Sequence, residues 1–118
     1  MCIRDRAKGK AFYHNYYADL LAEHKQFSQA AAVLETSVDF DKSPAVLRRA
    51  ASYHHKNQDV EKALAVINQA VMLDDRDPTT LFHQHRLLVK LDNVAEAERV
   101  RQVLLNLDEV PQEIFEKL

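Results

Sequence analysis

The sequence predicts an all-α protein, an α-solenoid of three helix-turn-helix repeats followed by a C-terminal capping helix. Three alanines, Ala30, Ala63 and Ala97, recur at intervals of 63 − 30 = 33 and 97 − 63 = 34 residues, and this period is typical of helical repeat proteins. A polar turn and one apolar residue precede each alanine. The chain has one glycine and three prolines, which leaves little material for hairpins, whereas helix-forming residues are plentiful.

Length and composition predict a single soluble globular domain. The chain has 118 residues, of which 47% are hydrophobic and 29% are charged, as in ordinary globular domains. The formal charge of −2 provides no strong field for nucleic acid or an anionic membrane, so neither is expected as a partner. No apolar run is long enough to cross a bilayer, and membrane insertion is not expected.

The N-terminal segment lacks the repeat pattern of the rest of the chain. Residues 1–6, Met-Cys-Ile-Arg-Asp-Arg, resemble the translation of a sequencing-library adaptor, so we interpret residues 1–9 as a non-native or loose segment. A genuine N-terminal arm is the alternative. Under the first interpretation the native start is missing, and neither Cys2 nor the lack of a signal peptide indicates a compartment. Cytoplasmic and periplasmic localisation both stay open.

The repeat domain is expected to span 10–111, and its first repeat, about 11–43, should contain two amphipathic helices. The first helix is predicted from about Lys10 to His24, because its apolar residues are three and four positions apart. Ser28 is predicted as N-cap of the second helix, which ends near Phe40. We interpret the aromatic cluster as core rather than as a platform for stacking bases. The apolar positions are Phe12, Tyr13, Tyr16, Tyr17, Leu20 and Leu21, then Ala30, Ala31, Val33, Leu34 and Val38.

The second repeat, about 44–77, begins with the clearest helix signal in the chain. Ser43 is predicted as an N-cap and Pro44 as the first helical residue. A polar turn at 57–59 separates its two helices, and the polar segment 74–78 ends it. The positions that mark its first helix are Leu47, Ala50, Ala51, Tyr53 and His54, and those that mark its second helix are Ala63, Leu64, Ile67, Ala70, Val71 and Leu73.

The third repeat, about 78–111, repeats this pattern around a turn at Asp92 and Asn93. Residues 112–118 are predicted to form a short capping helix, since the last repeat of a solenoid otherwise leaves its apolar face uncovered. The apolar positions that mark its two helices are Leu81, Phe82, Leu87, Leu88 and Leu91, then Ala97, Val100, Val103, Leu104 and Leu107.

The three units together resemble the tetratricopeptide repeat, a 34-residue helix-turn-helix motif. When the family's conserved alanine of the second helix is placed on Ala63, its small residue of the first helix falls on Ala51 and its large apolar residue on Leu47. The outer repeats depart from this pattern at His14 and His85. The resemblance covers about 11–111 and implies a right-handed superhelix that binds other proteins without catalysing a reaction.

The resemblance also implies that the first helix of each repeat lines a concave groove. Arginines in this groove make it more basic than the whole chain, which implies an acidic, partly hydrophobic peptide or helix as ligand. Solvated polar side chains without a ligand are the alternative. The predicted groove residues are Asn15, Asp19, Arg48, Ser52, His55, Phe82, Arg86 and Val89.

One specialised form of the resembled family grips chaperone C-termini through lysine and asparagine side chains in the first helices of its repeats. This chain does not reproduce that clamp. The corresponding positions resemble Asn15, Asp19, Arg49, Thr79 and His83.

Catalytic, cofactor and metal sites are not expected. The neighbouring histidine pairs, 54 with 55 and 83 with 85, lack the three- or four-residue spacing that places two ligands on one helix face. No serine lies in a nucleophile motif, and no glycine-rich phosphate loop is present.

The predicted function is therefore a non-catalytic protein-interaction module, part of a larger protein. The alternatives are a structural spacer or oligomerisation segment of a longer repeat protein, and a regulatory domain of a lost enzyme. An uncovered apolar face at the first repeat would also permit weak self-association.

Overall fold

The structure is a computed structural model that describes residues 3–118, with side chains from residue 12 onward. Within this part the chain forms seven helices and no strand, which confirms the predicted all-α class. The helices are α1 Ile3–Glu23, α2 Phe27–Glu35, α3 Pro44–Lys56, α4 Val60–Leu73, α5 Pro78–Lys90, α6 Val94–Leu105 and α7 Gln112–Glu116. Residues 1 and 2 lie outside the described part, and the interpretation of 1–9 as a loose segment stays a prediction.

The helices pack mainly against their neighbours in the chain. From α1 to α6, each helix contacts the next one, and α3 also contacts α5 across the intervening α4. This nearest-neighbour packing is typical of a solenoid. No helix of the described part is long and apolar enough to cross a membrane.

Small residues allow the close helix crossings. Ala51, Ala63, Ala70 and Ala97 are all buried, as the repeat pattern predicts. One hydrophobic cluster spans the first two repeats and includes Leu87 of α5, and a second joins α5 and α6 with Leu118 packed against its edge.

Side-chain N-caps mark the starts of α3 and α5, and the first of them was predicted. The Ser43 hydroxyl accepts a hydrogen bond from the backbone N–H of Val46 at 3.3 Å, with Pro44 in the first turn, so this predicted cap is confirmed. Asp77 caps α5 in the same way, through the backbone N–H of Thr79 at 3.1 Å. These caps fix where α3 and α5 begin.

The predicted cap of α2 is wrong. This helix begins at Phe27 after Gln26, which makes no side-chain capping bond, so Ser28 already lies inside the helix. The equivalent turns each contain one residue with positive φ: Lys25 at 61°, Gln58 at 65° and Asp92 at 63°. The residue after it is the N-cap in every case, so α2 starts in the same register as α4 and α6, but Gln26 stands where Asp59 and Asn93 cap the later helices.

Helix α2 also ends at Glu35 rather than near Phe40. The Thr36 hydroxyl donates to the backbone oxygen of Val33 at 2.8 Å, and the Ser37 hydroxyl accepts from the N–H of Asp39 at 3.3 Å. These local bonds offer the backbone an alternative to further helix, and residues 36–42 form turns instead.

The aromatic cluster of α1 is not core, contrary to the sequence prediction. Phe12, Tyr13, Tyr16 and Tyr17 are each more than half exposed. In the repeats that follow, the corresponding helix face packs against the second helix of the preceding repeat, whereas no described helix covers it in α1. An apolar pocket of about 330 Å³ opens there, lined by Tyr13, His14, Tyr17, Val33 and Thr36.

Candidate peptide-binding groove

The first helices of the second and third repeats, α3 and α5, form a pocket on the predicted groove side. We name it the histidine pocket. Its volume is about 280 Å³. Since α3 supplies one histidine and α5 the other, the stacking of repeats brings together residues that are far apart in the chain. The lining residues are Ala51, Ser52, His55, Lys56, His83, Arg86 and Leu87.

A second pocket adjoins the first through Arg86. We name it the C-terminal pocket, because the chain end forms one wall of its cavity of about 360 Å³. The Arg86 guanidinium carbon lies 5.7 Å from the centre of the Phe82 ring, within the range of a cation–π contact. The lining residues are Phe82, His85, Arg86, Val89, Lys90 and Lys117.

Both pockets are cationic at their rims. Neither described lining includes an aspartate or a glutamate, although the whole chain carries a formal charge of −2. Arg86 is exposed and has no ion pair among the described residues. Phe82 and Val89 add apolar surface, so the two pockets together present positive charge beside hydrophobic groups.

The histidines of the histidine pocket are held in the neutral form. Burial lowers the pKa of His55 below its usual 6.5, and the positive charges of Lys90 and Arg86 lower it further. Burial is also the largest cause of the lowered pKa of His83, followed by Arg48, Arg86 and His55. Asp77 opposes this shift in His83. At pH 7 both rings are therefore predominantly uncharged.

Arg48, a predicted groove residue, is bound within the chain. Its guanidinium donates to Asp77 Oδ2 at 2.5 Å and to Thr80 Oγ1 at 3.2 Å. Asp77 caps the start of α5 at the same time. Arg48 thus ties α3 to the first turn of α5, whereas Arg86 is exposed in both pockets.

Asn15 and Asp19 belong to a different network. The Arg49 guanidinium donates to the side-chain oxygens of both residues, and the Tyr53 hydroxyl donates to Asp19 Oδ1 at 3.1 Å. Neither Asn15 nor Asp19 lines the histidine pocket or the C-terminal pocket. The structure thus brings together Ser52, His55 and Arg86 in one pocket and Phe82, Arg86 and Val89 in the next.

Five ionisable lining residues of the two pockets are absent from the predicted groove set: Lys56, His83, His85, Lys90 and Lys117. His83 and Lys90 lie three residues before and four residues after Arg86, and this spacing on α5 could have placed them on one helix face. No helical spacing could have indicated that Lys117 lines the pocket, because its position depends on how the chain folds back after α6.

Comparison with known proteins identifies the architecture. No protein-family model and no curated protein matches the sequence. Among solved structures, the chain is similar to the first TPR of Spaghetti (RPAP3), bound to the HSP90 peptide SRMEEVD, with a TM-score of 0.75 and 16% sequence identity. The match covers 93% of this chain and 88% of that chain. The chain therefore has the fold of a tetratricopeptide-repeat domain, and the predicted architecture is confirmed.

Proposed function

We propose that this protein is a non-catalytic protein-interaction module that binds an acidic, partly hydrophobic peptide or helix along α5. The observation that carries the proposal is the pair of adjoining pockets that share Arg86, with cationic rims and no acidic residue in their described linings. A ligand with carboxylate and apolar side chains complements this surface. The peptide bound to the similar TPR structure supports the same class of function.

The binding surface differs from the predicted groove in its extent. Ser52, His55, Phe82, Arg86 and Val89 remain its proposed residues, together with the pocket residues described above. Asn15, Asp19 and Arg48 were predicted for the same groove, but their partners within the chain favour a structural role. We propose that they hold the repeats in register and do not contact the ligand.

Isothermal titration calorimetry with a defined probe tests this proposal. The probe is a twelve-residue peptide of glutamate and leucine, and its control has glutamine in place of every glutamate. Arg86→Glu should weaken binding of the probe by about tenfold, the equivalent of roughly 1.4 kcal/mol. A single exposed ion pair contributes about 0 to 1 kcal/mol, and charge reversal adds repulsion to its loss.

Arg99→Glu is the matched control, because Arg99 is an exposed arginine on α6 outside both pockets. This variant should bind the probe within about twofold of the wild type at equal salt, because a distant surface charge is screened. Equal weakening by both variants, or equal binding of the glutamate and glutamine peptides, would contradict the proposed site.

The exposed aromatic face of α1 favours a second candidate function, weak self-association. The pocket there is open and mostly apolar in its lining, and Tyr13 and Tyr17 are exposed beside it. Sedimentation equilibrium would test this candidate. Tyr17→Lys should abolish any concentration-dependent association, and a wild type that stays monomeric at millimolar concentration would exclude it.

A further inference from the structure

The histidine pocket has a second property beyond its positive charge: it holds two ionisable rings in the neutral form. His55 projects from α3 and His83 from α5, and both line one cavity of about 280 Å³. We propose that the histidine pocket binds a carboxylate of the acidic segment together with a proton, so that ligand affinity rises as pH falls. This inference rests on the proposed function, since it concerns the same groove.

The charges around the two rings come from several elements. From α3 there are Lys56 on the pocket wall and Arg48 near His83, and from α5 there are Arg86 and Lys90. Asp77, before α5, is the carboxylate that acts on His83, and its side chain is bound to Arg48. Lys117 lines the adjoining pocket from the chain end.

A ligand carboxylate would favour the protonated form of both rings. In the free protein, burial and neighbouring cations disfavour the imidazolium form and lower both pKa values. A negative charge placed in the pocket favours the imidazolium form and raises them. The proton is taken from solvent, and the protonated ring donates an N–H to the carboxylate.

The sign of the pH dependence follows from this shift. When the bound-state pKa exceeds the free-state pKa, the complex holds more protons than the free protein, and binding is tighter at lower pH. A shift of about one pKa unit in one histidine corresponds to about a tenfold change in affinity across the titration range. The range of interest is about pH 5.5 to 7.5, where glutamates of the probe stay ionised.

Calorimetry with the glutamate and leucine probe measures the proton directly. Titrations at each pH are repeated in PIPES and in Bis-Tris, which both buffer near pH 6.5, because the two buffers differ in ionisation enthalpy and the difference in observed heat reports protons taken up. We expect wild-type protein to take up protons near pH 6.5 and to bind about tenfold more tightly at pH 5.8 than at pH 7.5. The double variant His55→Asn/His83→Asn should bind with no proton uptake and less than twofold pH dependence.

His24→Asn is the control variant, since His24 is exposed after α1 and lies outside both pockets. It should keep the wild-type proton uptake. Nuclear magnetic resonance titration of the histidine ring protons in the wild type gives an independent test that needs no variant: both pKa values should rise when the probe is bound.

The outcomes separate this inference from the proposed function. Binding of the probe without proton uptake, or with equal uptake in the double variant, overturns the inference and leaves the acidic-peptide groove intact. No binding of the probe at any pH overturns the proposed function, and the inference with it.

Discussion

Equivalent helix positions are exposed to solvent in the first repeat and buried in the second. Tyr13 and Tyr17 on α1 are 72% and 56% exposed, whereas Val46 and Ala50, 33 residues later on α3, are 7% and 0% exposed. The reason is the neighbouring helix, because α2 packs onto this face of α3, and no described helix packs onto the same face of α1. Burial in a solenoid thus depends on the preceding repeat as much as on the residue itself.

The largest expected effect contrasts these two faces directly. Leu47→Ala should lower the free energy of unfolding by about 2 to 5 kcal/mol, because Leu47 is buried between repeats and its removal leaves a cavity. Tyr17→Ala should change it by less than about 0.5 kcal/mol, since exposed side chains contribute little. Urea denaturation followed by circular dichroism measures both values. Similar losses in the two variants would show that the α1 face is covered in solution.

The next effect contrasts two alanines. Ala63 is fully buried at the crossing of the second repeat, whereas Ala32 on α2 is exposed. Ala63→Leu should cost about 1 to 3 kcal/mol through overpacking, and Ala32→Leu should be close to neutral because both residues favour helix. Thermal melting of the two variants checks this difference. An unchanged melting temperature for Ala63→Leu would argue against the close crossing.

The repeat period could be predicted from the sequence because it depends on local patterns. Alanine spacing, the Ser43 cap and polar turns are short-range signals, and the structure confirms them. Local patterns did not predict contacts with a partner about 30 residues away. Arg48 was predicted as a groove cation, but the stacking of the repeats places it against Asp77.

The same distinction applies to the candidate site. Arg86 and Phe82 share one helix, so their proximity was predictable from helical spacing. The pairing of His55 with His83 across two helices depends on how the repeats stack, and no periodicity within one helix indicates it. The predicted start of α2 was wrong for another reason: Gln26 occupies the N-cap position and makes no side-chain capping bond, so the sequence gives no capping signal there.

A smaller effect should appear in the pH dependence of stability. Burial is the first cause of the lowered pKa values of His55, His83 and His85 in the folded protein. The unfolded chain, with a histidine pKa near 6.5, therefore binds more protons than the folded chain as pH falls. Stability should be full above about pH 7.5 and decline as pH falls through 6.5 toward the lowered folded pKa values.

Chemical denaturation at pH 7.5 and pH 5.5 measures this loss. His83→Asn should reduce the difference between the two pH values, whereas His24→Asn, in the first repeat, should leave it close to that of the wild type. A wild type equally stable at both pH values would contradict the neutral state of the groove histidines.

The smallest expected effect compares the two polar ties between repeats. Arg48 joins α3 to Asp77 in a half-buried pair, and Arg49 joins α3 to Asp19 in a more exposed one. Arg48→Gln should cost about 1 kcal/mol, because Asp77 and Thr80 lose the guanidinium and keep only their bond to each other and the Asp77 cap. Arg49→Gln should cost less than about 0.5 kcal/mol, and its cost should shrink further in salt, because water and ions screen an exposed pair. Double-mutant cycles with Asp77→Asn and Asp19→Asn, at low and high salt, measure the two coupling energies. A stronger coupling for the Arg49 pair than for the Arg48 pair would contradict the expectation that the less exposed pair contributes more.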